Sequence, residues 1–404
     1  MKKRVVITGL GVVSSVGIGK ENFWKSILEG KSGISEVGSF DTKDFAVHNA
    51  GEIKDFDPLK YLPKDKISNL GRSSYFGVIA AKLALEDAGL TKEGLDKEAT
   101  MVCMGTTMGE SGILERLNRN FIEKGIDGLD VSLIPNYPCN NLASSIASEF
   151  SLEGVNYVIP NACAAGNFAI GYAFDLISNG EADMAFAGGS DGFSRIAFIG
   201  FSRMFAVAPE RCQPFDKNRK GMMVAEGAGV VLLESLDSAK KRKANIYAEI
   251  LGYGISSDAR HMTAPYSEGI KEAMQSALKE SNIDASQVDY ISAHGTGTAV
   301  NDREECLAVK KVLGDNFKNV PMSSIKSMLG HTMGAASAIE AITCCLVIKD
   351  DVLPPTINYE TPDPDCDIDC VPNKSRRHKV NIALNNASAF GGNNSCLVLK
   401  KITS

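Results

Sequence analysis

The chain has 404 residues, of which 44% are hydrophobic and 23% charged, with a formal net charge of −6. This is a globular composition long enough for two core-bearing units, and an acidic balance without a basic, aromatic-laced stripe excludes a nucleic-acid binder. No run approaches the ~18 apolar residues of a membrane span, and Met-Lys-Lys-Arg passes directly into a strand with no signal region, so a cytoplasmic protein is expected.

The first strand is read at Val5 to Thr8. A helical run through Ala84-Leu-Glu-Asp-Ala-Gly-Leu90 then leads to a β-type run, Met101 to Gly105, followed by Gly-Thr-Thr-Met108-Gly. Val155, Val158 and Ile159 mark another strand, which breaks at a turn and gives way to an apolar helical pattern carried by Ile170, Phe174 and Ile177. Cys163 falls at that helix N-terminus, where unpaired N–H groups and the helix dipole favour a thiolate and can hold an oxyanion. The alternative is a buried, inert cysteine in a tight connection. Ala248-Glu-Ile-Leu-Gly252 opens a new strand and divides the chain into 1–250 and 251–404.

The second part echoes the first. Ala277-Leu-Lys-Glu-Ser-Asn-Ile283 leads to Tyr290-Ile-Ser-Ala-His294, and Gly-His331-Thr-Met-Gly-Ala-Ala precedes a helix over Ala338 to Ile348, as Asn-Ala-Cys163-Ala-Ala-Gly precedes one over Phe168 to Ile177. Alternating segments of this kind indicate an α/β protein with mostly parallel sheets covered by helices. A pseudo-twofold between the halves would bring Cys163 to face His294 and His331, both in Gly-rich turns after strand-like runs, where open α/β sheets put their chemistry. Lys326 is expected to stay charged and to pair with Glu305 or Asp302. Ten cysteines without a regular framework suggest reduced thiols. Cys344-Cys345 reads as helix core, and Cys366 and Cys370 lack the further ligands of a metal site.

The turn Asn-Ala-Cys163-Ala-Ala-Gly, the segment His294-Gly-Thr-Gly-Thr298, Lys326-Ser-x-x-Gly-His331-x-x-Gly-Ala-Ala and the closing Asn-Asn-Ala-Ser388-Ala-Phe390-Gly-Gly-Asn-Asn394 together resemble the β-ketoacyl-[acyl-carrier-protein] synthases, most nearly the elongating synthase II type. The resemblance implies the thiolase fold, a duplicated five-layer αβαβα arrangement, and a homodimer, with a heterodimer left open. It implies a 3-oxoacyl synthase that condenses an acyl group held on Cys163 with a malonyl group, both delivered by acyl carrier protein. No cofactor or metal is implied beyond the carrier's own phosphopantetheine. By the same resemblance, the N–H groups of Cys163 and Phe390 hold the oxyanion, His294 and His331 stabilise the enolate, and Thr296 and Thr298 bond the pantetheine amides. Met108 aligns roughly with a position that limits chain length.

Departures from the pattern are expected to matter. Ser388 stands where the elongating synthases carry a gating Phe, Ala389 replaces a Gly, and Ser337 replaces the last Gly of Gly-Ala-Ala-Gly. A hydroxyl in place of an aromatic opens volume beside the thioester, which keeps open a ketosynthase of a specialised polyketide, polyene or unusual-lipid pathway. A catalytically silent chain-length subunit is opposed by the joint presence of Cys163, His294 and His331.

Overall fold

The computed structural model describes residues 2–54 and 56–402. Ten strands form one continuous path. In the first half they are β1 (Val5–Ser14), β2 (Thr100–Gly105), β3 (Asn156–Ile159), β4 (Met184–Asp191) and β5 (Gly227–Ser235). In the second half they are β6 (Ala248–Ser257), β7 (Tyr290–Ser292), β8 (Met322–Ser323), β9 (Ile382–Ser388) and β10 (Asn393–Lys400). The spatial order is β3-β2-β4-β5-β1 and then β6-β10-β9-β7-β8, so each half runs third, second, fourth, fifth, first. The halves meet edge to edge only where Val5–Ile7 pairs with Ala248–Ile250.

The helices complete five layers. α1 (Arg72–Asp87) and α2 (Asn141–Phe150) cover the outer face of the first half, and α5 (Ser267–Glu280) with α6 (Ala299–Leu313) covers that of the second. Between the two half-sheets lie α3 (Ala165–Asn179) and α7 (Ala336–Asp350), each touching strands of both halves. A helix in the middle layer has no solvent face, and residues 336–348 are buried without a break. An apolar run without amphipathic period is the pattern such a position demands.

In each half four strands run one way and a single strand runs against them, so the sheets are mostly parallel as expected, with one exception in each half. β2 runs parallel to β3 and β4, and β7 to β8 and β9, whereas β5 and β10 pair antiparallel with both of their neighbours. Doubly covered strands are apolar along their whole length whichever way they run, so hydrophobicity does not report direction. The strand opening at Ala248 continues to Ser257, so a division at residue 250 falls inside it.

Candidate active site

Both central helices are entered through the same turn. Ala162–Ala164 precedes α3 and Met333–Ala335 precedes α7, each a single 3-10 turn. Ala162 (φ 47°) and Met333 (φ 54°) open them in left-handed backbone, a conformation that costs about 1–3 kcal/mol for a residue with a side chain. Cys163 and Gly334 thus occupy equivalent places in the two halves. The helix ends are locked together by polar groups. The N–H of Asn167 donates to Ser337 Oγ at 2.9 Å, and Asn385 Nδ2 donates to Asn167 Oδ1 and to the Ser337 carbonyl, both at 2.8 Å. Gly166 permits this approach, since a Cβ there would stand 2.7 Å from the Ala338 nitrogen.

Cys163, His294 and His331 line one cavity of about 340 Å³, together with Thr296, Thr298, Ser388 and Phe390. The rings of His294 and His331 lie edge to face with centroids 5.3 Å apart. His331 Nδ1 accepts the N–H of Met333 at 3.1 Å, so its neutral form carries the proton on Nε2. Burial, and then the Lys326 charge, holds both imidazoles well below the usual histidine range, and His331 lowers His294 further. Two neutral rings, rather than two imidazolium ions, therefore face the cavity near neutral pH.

Burial pushes the Cys163 thiol up to about 12, against the lowering influence of the Lys326 charge and of the Phe390 and Cys163 N–H groups on the sulfur. Burial therefore works against the thiolate that the helix N-terminus favours. The Lys326 charge and two N–H groups do not match the desolvation of an anion in this enclosure. The same two N–H groups are the ones named for the oxyanion. Phe390 is placed by a loop that only glycine can form. Gly392 (φ 78°) has Asp258 Cβ within 2.7 Å of where its own Cβ would be, and Gly391 donates to the Met262 carbonyl at 2.7 Å.

Lys326 does not pair with Glu305 or Asp302. Its buried ammonium forms an ion pair with Glu340 on α7 and donates to the His294 carbonyl at 2.6 Å. Glu305 instead accepts the N–H groups of His294 and Gly295, each at 2.8 Å. Asp302 accepts those of Phe215 at 2.9 Å and Gly297 at 3.2 Å, with the Arg219 guanidinium 3.8 Å away. Both acids lie near the start of α6 and fold back beneath the 294–298 turn, so they tie up backbone donors before Lys326 can reach them. Burial raises all three acids, Glu305 and Glu340 up to about 7 and Asp302 above its ordinary range.

Thr296 and Thr298 share a hydroxyl contact at 2.9 Å on the cavity wall, and Ser388 ends β9 at the cavity. Met108 is not brought to that wall. It packs with the apolar cluster of Phe193, Phe198 and Phe201, and its N–H donates to Asp191 at 2.9 Å. Two site residues escaped the sequence reading. Glu340 is the only acid within the buried 336–348 run, a signal in itself. Asp191, at the end of β4, gathers the N–H groups of Thr107, Met108 and Gly334 and the hydroxyl of Thr106. It joins the Met108 loop to the turn after His331. Among the described residues no group of three or more His, Cys, Asp or Glu is placed to hold a metal ion, and no helix is long and apolar enough to cross a membrane.

Residues 2–239 match the Beta-ketoacyl synthase, N-terminal domain, and residues 247–360 the Beta-ketoacyl synthase, C-terminal domain. The chain is 38% identical to the 3-oxoacyl-[acyl-carrier-protein] synthase 2 of Synechocystis sp. over 99% of its length and 98% of the relative's. It is also 38% identical to the protein of that name from Coxiella burnetii, over 99% of both. Among solved structures, the ishigamide ketosynthase/chain length factor superposes with a TM-score of 0.96 at 42% identity, covering all of both chains. A type II PKS acyl-carrier protein in complex with its ketosynthase bound to the hexaketide gives a TM-score of 0.93 at 33% identity, again covering all of both chains. With a thiol and two neutral imidazoles in one cavity between duplicated half-sheets, and with these matches along its length, the chain belongs to the β-ketoacyl synthase family.

Proposed function

We propose that the protein is a 3-oxoacyl-[acyl-carrier-protein] synthase, an acyltransferase-type condensing enzyme that lengthens a carrier-bound acyl chain by two carbons. The observation that carries this reading is the meeting of Cys163, His294 and His331 in a single cavity that Phe390 also lines. The Cys163 thiol gives its proton to a neutral imidazole as sulfur attacks the acyl thioester. The carrier thiol leaves with a proton, and an acyl-cysteine remains. Malonyl carrier then loses CO₂, and N–H donors of His294 and His331 hold the enolate oxygen. Neutral rings suit this step, because each keeps one N–H to donate.

The enolate carbon attacks the acyl-cysteine carbonyl, whose oxyanion lies between the N–H groups of Cys163 and Phe390. Collapse frees the Cys163 thiolate, which regains a proton, and releases the 3-oxoacyl thioester. Lys326, Glu305 and Asp302 act by position. The first holds the His294 carbonyl and the other two hold the backbone of its turn. Thr296 and Thr298 are assigned to the pantetheine arm of the carrier, and no separate cofactor enters the chemistry.

A second reading, the same reaction in a specialised polyketide or unusual-lipid pathway, is favoured by Ser388 at the cavity wall and by the likeness to the type II PKS ketosynthase and to the ishigamide ketosynthase/chain length factor. We further propose two fused units that part near residue 250, at the start of β6, a cytoplasmic location, and a homodimer. The last rests on β3, an outermost strand with Tyr157 exposed and Val155 exposed just before it, which offers a row of unpaired backbone groups to a second copy. A heterodimer with a related subunit is the alternative for the same edge.

The test supplies purified protein with acyl carriers of graded length, branched and aryl primers included, plus malonyl carrier, and identifies products by mass with Cys163→Ala as control. Condensation of ordinary saturated primers supports the first reading, and exclusive use of conjugated or aromatic primers supports the second. No acylation of Cys163 removes both. Cys163→Gln should retain malonyl decarboxylation while losing condensation, because the imidazole pair remains.

A further inference from the structure

Helix α4 (Arg195–Arg203) ends at the lip of the cavity in a turn closed by two backbone bonds, Phe205 N–H to Ser202 O at 3.1 Å and Ala206 N–H to Phe201 O at 3.2 Å. The residue closing such a turn takes left-handed backbone, a place normally held by Gly or Asn. Here it is Phe205, with φ 55° and 91% of its surface exposed. An aromatic in this conformation costs about 1–2 kcal/mol, and the exposed ring recovers nothing through burial within the chain. Met204 beside it is also exposed.

The position of this pair limits what can cover it. Phe205, Met204 and Lys220 border the same cavity that leads to Cys163. The sulfur is buried, so a thioester must reach it on an extended arm while the body bearing the arm stays at the lip. Lys220 on that rim and Arg203, next to Met204 in the chain, are exposed and enter no ion pair among the described residues, whereas Arg219 is committed to Asp363 and Asp302. Two free cations around an apolar centre suit an acidic partner, even though the chain as a whole carries −6. A second copy of this chain on the same lip would close this route to the arm.

We propose that Phe205, with Met204, is the aromatic anchor on which the acyl carrier protein seats, with Arg203 and Lys220 meeting acidic groups of the carrier around it. This deepens the condensing-enzyme reading and rests on it. A protruding aromatic ringed by polar groups is the usual form of an interface residue that carries much of the binding.

The experiment compares two donors of one acyl group, an octanoyl-loaded bacterial acyl carrier protein and octanoyl-pantetheine, by the rate at which each acylates Cys163. Phe205→Asn removes the ring while suiting the left-handed backbone, so folding is not at risk. Phe205→Tyr keeps the ring. The ratio of kcat/KM for the carrier to that for the small donor should fall at least tenfold in Phe205→Asn, chiefly through KM, and stay within twofold of wild type in Phe205→Tyr. An unchanged ratio in Phe205→Asn overturns the anchor, whether both donors slow equally or neither does. Wild-type protein acylated by neither donor, nor by any carrier of the graded, branched and aryl series, would overturn the condensing-enzyme reading itself, and the anchor with it.

Discussion

Lys326, in the segment leading to His331, and Glu340 on the central helix α7 form a buried ion pair, and the same ammonium donates to the His294 carbonyl. Removing one member strands the other. Lys326→Met should cost about 3–5 kcal/mol, the range for breaking a buried pair, measured by urea unfolding. Glu340→Gln, which still accepts from the ammonium, should cost less.

The lowered imidazoles make a prediction about pH. Both rings are held below the usual histidine range by burial and by the Lys326 charge, so they stay neutral where an ordinary histidine would protonate. Malonyl decarboxylation by Cys163→Gln should therefore be flat from about pH 6 to 8, with no acid limb near the ordinary value of ~6.5. In Lys326→Met one of the charges that depresses them is gone, and an acid limb should move up toward that value. A wild-type limb at the ordinary histidine value would contradict the assignment.

Ser388 leaves room beside Cys163. Ser388→Phe fills it with an aromatic ring, and the loss should fall on bulky primers. We expect at least a tenfold drop in kcat/KM for branched or aryl carriers and a smaller change for short straight chains, read from a competition assay by product mass.

Glu110 is a buried acid away from the chemistry, and its carboxylate accepts the Ser74 N–H at 2.6 Å. Burial raises it to about 7, with the hydrogen bonds from Ser74 acting the other way. A raised carboxylate binds its proton more tightly folded than unfolded, so its contribution is complete below about pH 4 and is lost as pH rises through 7. Wild-type stability should accordingly decline between pH 5 and 8, Glu110 accounting for on the order of 3 kcal/mol. Glu110→Gln, followed by denaturant unfolding across this range, should flatten the decline by that amount.

Ser337 caps the nucleophile's helix from the other half of the molecule. Ser337→Ala strands the Asn167 N–H in the interior, at a cost of about 1–2 kcal/mol, which a thermal melt will show as a lower midpoint. The same variant should leave the Cys163 turn less firmly held and slow its acylation.

Much of the site was legible because it is local. A strand, a break and an apolar run place Cys163 at a helix entrance whatever surrounds it, and the echo of that pattern around His331 implies a second entrance of the same shape, which Ala162 and Met333 bear out in their shared backbone. The unbroken apolar stretch of 336–348 likewise marks a helix with no face to water. What the sequence could not determine were choices among equivalent partners. Strands buried on both sides look alike in either direction, so the antiparallel β5 and β10 emerged only from the pairing. Glu305, Asp302 and Glu340 are all acids that Lys326 might meet, and nothing local in the sequence ranks them, whereas the fold ranks them by where their carboxylates end. Two are drawn to backbone N–H groups, and the third comes from a central helix packed against both halves. The thiol of Cys163 turned on the same distinction, because a helix N-terminus can be read from residues, but the depth of burial that works against it exists only once both halves have closed around the sulfur.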